Sequence, residues 1–444
     1  MNTRETLSSP LATGRSFRLL GDAEAMPHVE ELLRLQGYRF EPEPFSPFCR
    51  RLLHEPRPLG ASLAALFGYI YIQDRSSMLP PLALAPTPGA SVLDVCASPG
   101  SKTGFLAQLV GPGGFVLGNE PSRARLATLR ANMQACNLLS VGTCSHEGQA
   151  LPLRPGSWDA IQLDPPCSGW GTAEKHPRVM ELWQGDKVQP LVGLQRLLLR
   201  HAASLLAPGG RLVYSTCTTN VAENEEQVRF AEEDIGLERL PLSPFPGFVW
   251  EELPGGEGTL RVDGRRSGAQ GFYVALLRKP LATPPHAGAA SEDPPAARDV
   301  PGRRGRSGRR DEAGQELPRH ALAGPCCDPD LLPPGRVMLF GDQVRFLPED
   351  AARLLPSGFV WQGALLGRFA GGRLVPAPRL RALLPRRPEA DAALVLDSPE
   401  EVTALLSGQS RQTGLAGREA ALWWRELPLG RLALKQGRAV ALFN

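Results

Sequence analysis

SVLDVCASPGSKTGFLAQLV, Ser91 to Val110, decides the fold of this chain. SVLDVCA (Ser91 to Ala97) is short, apolar and β-branched, the pattern of a strand buried on both faces, while SKTGFLAQLV carries apolar residues at helical spacing. The turn joining them, Cys96-Ala97-Ser98-Pro99-Gly100-Ser101-Lys102, consists of small residues that let the backbone approach a ligand. It also opens a helix, whose N-terminal N–H groups can hold a carboxylate. FVLGNE (Phe115 to Glu120) comes next as a second strand, which makes a βαβ unit of roughly thirty residues.

Outward from this unit the alternation continues. Arg123 to Cys136 reads as a helix, WDAIQLD (Trp158 to Asp164) as a strand, and Gln189 to Leu206 as a long helix stopped by Pro208-Gly209-Gly210. RLVYSTC (Arg211 to Cys217) is a further strand. Strands alternating with helices predict an α/β fold with a mostly parallel sheet covered on both faces. Upstream, Ser16 to Leu20, Ala25 to Gln36 and Tyr38 to Glu41 predict a small α+β lobe. Downstream, the chain from Pro280 to about Pro325 is rich in Pro, Ala, Gly and Arg and reads as a disordered linker. Its RDVPGRRGRSGRR (Arg298 to Arg310) is either an electrostatic tether for nucleic acid or a solvated spacer. RVMLFGDQVRFL, GFVWQGALLGRF and RLALKQGRAVALF then predict a small β-rich module of short strands broken by glycines. The expected organisation is a lobe at 1–80, a catalytic domain at 81–280, a linker at 281–328 and a β-rich domain at 329–444.

Composition narrows the function classes. The chain has 444 residues, 42% of them hydrophobic, and its 49 Lys+Arg against 46 Asp+Glu leave a formal charge of only +3. That excludes a blanket of positive charge, so any polyanion partner must be held by local patches. Arginine carries nearly all the basicity, a skew that GC-rich coding would produce equally. The eight cysteines form no pair of CxxC motifs, which excludes a disulfide scaffold and a zinc ribbon. MNTRETLSSPLATGR lacks the apolar core of a signal peptide and no apolar run approaches membrane-spanning length, so a cytoplasmic protein with no membrane association is expected.

In an open α/β sheet the ligand sits beyond the carboxyl ends of the strands. The first strand delivers the Cys96 to Lys102 turn, which is not the GxGxxG fingerprint of dinucleotide binding. The second ends in Glu120, either an acid for the two hydroxyls of a ribose or a solvated loop carboxylate. The strand ending at Asp164 continues as DPPCSGWG and the next ends in STCTTN, so Cys167 and Cys217 are expected at one sheet edge on adjacent strands. Cys49, Cys136 and Cys144 read as small buried hydrophobes. A metal held by Cys167 and Cys217 would need His176 and Glu174 as further ligands, and none is expected. An amino-group methyltransferase would carry an aromatic residue where Cys167 stands.

VLDVCASPGSKT, DPPCSGWGTAEKHP, STCTTNVAENEEQV and QGFYVALLRK occur in the order and spacing of the Nop/Sun-type RNA cytosine-5 methyltransferases, which this sequence resembles from about Arg15 to Lys279. GRSFRLL, GYIYIQDRSSMLP and the tail LGRLALKQGRAVALFN look most like the bacterial branch acting on 16S ribosomal RNA. The resemblance implies a class I, Rossmann-like methyltransferase sheet, an RRM-like N-terminal lobe and a PUA-like C-terminal domain. It implies S-adenosylmethionine as cofactor, held by Cys96, Ala97, Ser98, Pro99, Gly100, Ser101 and Lys102, with Glu120 on the ribose, Glu147 of SHEG on the adenine side and Asp164 between cofactor and target base. Cys217 matches the nucleophile and Cys167 the cysteine that assists product release. Glu147 replaces a more usual aspartate, and Trp170 and His176 depart from the family's DAPCSGEG and RKDP forms, while Lys175 matches.

The implied chemistry needs these residue types. Cytosine C5 is a poor nucleophile until a thiolate adds to C6 and a proton or hydrogen bond reaches N3, and covalent catalysis splits that hard step in two. Asp164 could help protonate N3 if burial raised its pKa. The target base must leave its stack. The N-terminal lobe, Lys175 and linker arginines Arg303, Arg304 and Arg306 are the expected grips on RNA phosphates. The expected partner is ribosomal RNA or the small ribosomal subunit, bound by a monomer. Two other readings stand beside this one: a transfer RNA cytosine-5 methyltransferase, and a catalytically silent RNA-binding assembly factor that keeps the fold. A DNA cytosine-5 enzyme would be expected to rely on the cysteine of the Pro-Cys motif alone.

Overall fold

Parallel strands buried on both faces must be apolar almost throughout, and such runs order the central sheet. The computed structural model describes residues 14–174, 176–281, 314–324 and 326–442. The chain begins with a lobe of β1 (Ser16–Leu19), α1 (Ala25–Leu35), β2 (Arg39–Pro42), β3 (Cys49–His54), α2 (Leu63–Leu66) and β4 (Ile70–Ile72). Its four strands pair antiparallel in the order β2-β3-β1-β4.

After α3 (Leu79–Leu84) comes the alternating part: β5 (Ser91–Asp94), α4 (Ser101–Val110), β6 (Phe115–Asn119), α5 (Arg123–Ala135), β7 (Val141–Cys144), β8 (Trp158–Leu163), α6 (Val179–Leu182), α7 (Gln189–Leu205) and β9 (Leu206–Thr216). β5 to β9 are parallel, with β5 between β6 and β8. The chain therefore crosses the sheet one way through β6 and β7 and the other way through β8 and β9. Such a reversal opens a crevice at the carboxyl ends of the strands. Residue alternation supplies both faces: Leu93, Leu117, Ile161 and Leu163 pack with Leu198, Leu199 and Ala202 of α7, whereas Val92, Val116, Ala160 and Val213 pack with α3, α4 and α5. α8 (Glu225–Glu233), β10 (Glu238–Leu240), β11 (Trp250–Glu251), β12 (Leu260–Val262), α9 (Gly264–Ser267) and β13 (Phe272–Arg278) complete this part, with β13 antiparallel to β9.

The C-terminal region differs from the expected single module. β14 (Gln315–Leu317), β15 (Gly335–Phe340), β16 (Gln343–Pro348), α10 (Glu349–Leu354), β17 (Trp361–Gln362), β18 (Ala364–Ala370) and β19 (Arg373–Pro376) come first. They form a five-stranded sheet, β14-β15-β16-β18-β19, except that β17 pairs antiparallel with β7 and so lengthens the catalytic sheet. A second sheet, β20-β22-β23-β24-β21, is built by β20 (Ala393–Leu396), α11 (Pro399–Leu406), β21 (Arg411–Gln412), β22 (Glu419–Trp424), β23 (Leu427–Lys435) and β24 (Arg438–Ala441). It shares a core with the N-terminal lobe, Leu422, Trp424 and Leu429 packing in one cluster with Phe17, Leu19 and Leu32. Tyr69 donates its hydroxyl to the Pro428 carbonyl at 2.6 Å across this junction.

The linker expected to reach residue 328 ends sooner. β14 pairs with β15 from Gln315 on, and Leu317, Leu322 and Cys326 are buried. These isolated apolar residues in Pro- and Arg-rich surroundings anchor the stretch, a signal too sparse for composition to register. Residues 282–313 lie outside the described residues. Among the described residues no helix is long and apolar enough to cross a membrane.

Candidate active site

Loops leaving the carboxyl ends of the strands line the crevice. After β5 the backbone keeps to the sheet for one more step, Val95 N–H donating to the Gln162 carbonyl and Ala97 N–H to the Asn119 carbonyl. The loop is then strapped onto α5: Asn132 Nδ2 donates to the Pro99 carbonyl at 2.8 Å, and Arg125 donates to the Ser98 carbonyl at 3.1 Å. Gly100 ends it at φ +107°, where a Cβ would stand 2.5 Å from Met133 Cε, so only glycine fits. Ser101 and Lys102 open α4. Buried Asn119 ties three strand ends together, its Nδ2 donating to the carbonyls of Val95 and His146.

Glu120, buried just past β6, accepts from Ser122 N–H at 2.9 Å and lies 3.4 Å from Arg125. Glu147 is exposed in the loop after β7, next to His146, whose ring stacks on Phe359 at 4.9 Å. Phe359 comes from the C-terminal region, just before β17. The donor set fits S-adenosylmethionine: a buried acid after the second strand for a ribose diol, and a helix N-terminus for a carboxylate, at a loop that Gly100 lets pack closely on Met133 and Leu129 of α5.

Asp164 stands just past β8 and accepts from Lys102 Nζ at 2.6 Å and from Ser215 Oγ at 3.1 Å. Its side chain is 24% exposed and that of Lys102 11%. Lys102, at the start of α4, reaches across the crevice and supplies Asp164 with a counter-ion. For Lys102, burial acts to lower the pKa, but the Asp164 charge and hydrogen bond outweigh it and the net shift is upward.

Cys167 and Cys217 are both partly exposed, and their sulfurs lie 3.4 Å apart. The hydrogen bond from Cys167 lowers the Cys217 pKa, opposed by burial and Asp164 and assisted by Lys102. The same bond, with burial, raises Cys167 well above the ordinary thiol value. The shared hydrogen bond thus biases the pair toward a proton on Cys167 and thiolate character on Cys217. Glu223 fixes both loops: its buried carboxylate accepts from Ser168 N–H at 2.9 Å, from Ser168 Oγ, from Gln195 Nε2 at 3.0 Å and from Asn220 Nδ2 at 3.1 Å. Gly171 N–H donates to the Cys217 carbonyl at 3.0 Å, and a Cβ on Gly171 would stand 2.0 Å from the Gly271 carbonyl oxygen.

The structure thus brings Cys96 to Lys102, Glu120, Glu147, Asp164, Cys167 and Cys217 to one end of the sheet. Lys175, Arg303, Arg304 and Arg306 lie outside the described residues. Sequence reasoning gave no role to Asn119, Glu223 or Gly171. Glu223 stood inside STCTTNVAENEEQV, but its work depends on Ser168, 55 residues away, which no local pattern exposes.

The sheet, its ligand crevice at the β5 reversal and the donor set at the strand ends together suit S-adenosylmethionine. Residues 81–278 match the family described as 16S rRNA methyltransferase RsmB/F. The chain is 40% identical over 263 residues to a ribosomal RNA small subunit methyltransferase F of Cronobacter sakazakii, covering 56% of this chain and 53% of that protein. An Escherichia coli protein of the same name is 40% identical over 233 residues, 51% of this chain and 48% of that one. The chain therefore spans about half the length of the curated relatives it matches. Among solved structures, a methyltransferase homolog protein from Pyrococcus horikoshii is 32% identical with a TM-score of 0.52, over 60% of this chain and 86% of that one.

Proposed function

We propose that this chain methylates C5 of cytosine in small-subunit ribosomal RNA through a covalent bond between Cys217 and C6 of the base. The observation that carries the reading is the thiol pair: two cysteines 3.4 Å apart, one lowered and one raised in pKa, beside an ion-paired Asp164.

S-adenosylmethionine, held by the Cys96 to Gly100 loop with Glu120 and Glu147, supplies an electrophilic methyl group when bound. The residues of the chain make C5 nucleophilic enough to use it. The Cys217 thiolate adds to C6, the C5–C6 π pair shifts to form a C4–C5 double bond, and the C4–N3 π pair takes a proton at N3 from the Lys102–Asp164 pair, leaving an enamine. Asp164 is oriented for this by Ser215 and Lys102. Once C5 is substituted, loss of its proton to a base re-forms the C5–C6 double bond and expels Cys217 as thiolate, and N3 returns its proton to the Lys102–Asp164 pair. Cys167, which keeps its proton, hydrogen-bonds that departing sulfur and stabilises it.

The relatives at 40% identity are named for the small ribosomal subunit RNA, which favours ribosomal over transfer RNA. The clustering of both thiols with Asp164 argues against a catalytically silent assembly factor. The lobe's βαββαβ order and β2-β3-β1-β4 sheet support an RRM-like RNA-binding role, and the β-rich C-terminal region a PUA-like one. Lys175, Arg303, Arg304 and Arg306 join them in this reading as phosphate contacts.

The test is methyl transfer from labelled S-adenosylmethionine to separated small-subunit ribosomal and transfer RNA. Label in small-subunit RNA, lost in Cys217→Ala and replaced in Cys167→Ala by protein that stays attached to RNA through denaturing electrophoresis, supports the proposal. Methylation by Cys217→Ala overturns the assignment of the nucleophile.

A further inference from the structure

Arg130 of α5 and Arg345 of β16 face each other across the cleft between the catalytic sheet and the first C-terminal sheet. The cleft encloses a cavity of about 90 Å³ and is walled by Gln134 and Thr143 on one side and Gln362 and Leu365 on the other. It continues along the exposed face of α5 to Arg123 and Ser145 as an open groove of about 670 Å³. No aspartate or glutamate lines either part.

Neither cleft arginine meets a carboxylate among the described residues. Arg130 Nε donates to Thr143 Oγ1 at 2.9 Å, and Arg345 donates to the Gly363 carbonyl at 2.9 Å and to Gln343 Oε1 at 2.8 Å, all uncharged acceptors. Burial lowers the pKa of both, and for Arg345 the nearby charge of Arg130 lowers it further. Two like charges drawn out of water without a counter-ion are unfavourable, and an anion seated between them removes that penalty. Arg123 and Arg130 are seven residues apart on α5, two turns, which sets both guanidinium stems on one helix face about 10 Å apart.

The groove ends at Ser145, two residues before Glu147, so it is continuous with the crevice end of the sheet. β7, at its floor, is separated from β8 by β6 and β5. At about 4.8 Å per strand, β7 lies some 14 Å from β8 and about 19 Å from β9, the strands that carry the cysteine pair, a reach of a few nucleotides.

We propose that this groove binds the phosphate backbone of a single-stranded RNA segment flanking the target nucleotide, with Arg123, Arg130 and Arg345 as the phosphate contacts. The proposal rests on the reading of the chain as an RNA methyltransferase, because it is the polyanionic substrate that supplies a row of charges at this spacing. Met133 joins the two sites physically: it lines the cleft and also packs beneath Gly100 of the cofactor loop.

The experiment is fluorescence anisotropy of a short labelled single-stranded RNA with the full chain over a potassium chloride gradient. Arg130→Gln/Arg345→Gln is expected to bind about tenfold more weakly. Its slope of log affinity against log salt should be shallower by about 1.4, since each phosphate contact on a single strand contributes about 0.7. Arg123→Gln, at an exposed position of the groove, should lower the slope by about half as much. Unchanged S-adenosylmethionine binding by calorimetry certifies the fold of each variant. Unchanged affinity and slope in all variants would overturn the groove, as would full competition by inorganic phosphate at a concentration matched to the RNA phosphates. If the wild type methylates RNA and the variants bind it normally, only the groove fails. If the wild type methylates no RNA yet the variants lose salt-dependent binding, the groove stands and the catalytic reading falls.

Discussion

The sulfur of Cys167 lies 3.4 Å from that of Cys217, although the two residues are 50 positions apart. The loops that carry them leave neighbouring parallel strands, β8 and β9, and are locked to one another by Ser168, whose hydroxyl is 2.7 Å from Thr218 Oγ1, and by the Glu223 carboxylate. Because the hydrogen bond divides one proton unequally, the chemistry of each thiol depends on the presence of the other.

Cys217 should therefore titrate at lower pH than a free thiol. Its thiolate fraction rises as pH rises through its pKa, and the Cys167 hydrogen bond is the largest influence lowering that pKa. Replacing Cys167 with alanine removes the bond and should move the midpoint of Cys217 alkylation by iodoacetamide to higher pH. Peptide mass spectrometry across a pH series reads that midpoint directly, and a midpoint that does not move would show that Cys167 is not what activates Cys217.

Glu223 bears more structural weight than a carboxylate that touches no substrate would suggest. Glu223→Gln keeps its shape but sets an amide N–H₂ against a ring of donors from Ser168, Gln195 and Asn220. The expected loss is about 1.5–3 kcal/mol of stability, the range for hydrogen bonds to a charged group. Turnover should fall while cofactor affinity holds, because Ser168 adjoins Cys167 rather than the Cys96 to Gly100 loop. Chemical denaturation alongside steady-state kinetics checks both, and a variant as stable as wild type would sink the argument.

How much of this was legible depends on the range of the interaction. Ser91 to Lys102 could be read because strand, small-residue turn and helix succeed one another within a dozen residues, and Cys167 and Cys217 because each sits directly past an apolar strand. The pairing of Lys102 with Asp164 was not legible, since 62 residues separate them and only the sheet order brings them together. Nor was β17, a two-residue strand whose Trp361 packs edge-on against Phe115 and whose place is set by tertiary contact alone. The joint core of the N-terminal lobe and the last sheet escaped for the same reason: each half has an ordinary apolar pattern, and nothing in either names the other.

Asp94 makes stability depend on pH. It is buried, one carboxylate oxygen accepts from Thr103 Oγ1 at 2.6 Å and the other has no partner, and burial raises its pKa from 3.8 to about 7. The folded state thus holds a proton that the unfolded state releases at lower pH. The favourable contribution is complete below about pH 4 and is lost as pH rises through about 7, at most about 4 kcal/mol for a shift of this size. Asp94→Asn should flatten that part of the profile between pH 4 and 8. Urea denaturation of both proteins at several pH values decides it, and parallel profiles would locate the charged form of Asp94 in a better-solvated setting than the one described.

Trp424 tests whether the beginning and end of the described chain fold as one unit. It is fully buried in the cluster that holds Phe17, Leu19 and Leu32 of the lobe with Leu422 and Leu429 of the last sheet. Two further ties cross the same junction, the Arg425–Glu31 ion pair and Arg381, which lies over the Tyr69 ring at 3.8 Å. Trp424→Ala should cost about 3–5 kcal/mol, the usual range for emptying a large aromatic site in a core. Trp424→Phe should cost less, because the indole N–H has no partner to lose. Since the cavity opens between the two elements, amide exchange should accelerate together in Ser16–Leu19 and in Leu427–Lys435 while β5 to β9 keep their protection. Acceleration confined to the last sheet would mean that the lobe holds its fold without it, and that the shared cluster is contact between two independent units rather than one cooperative core.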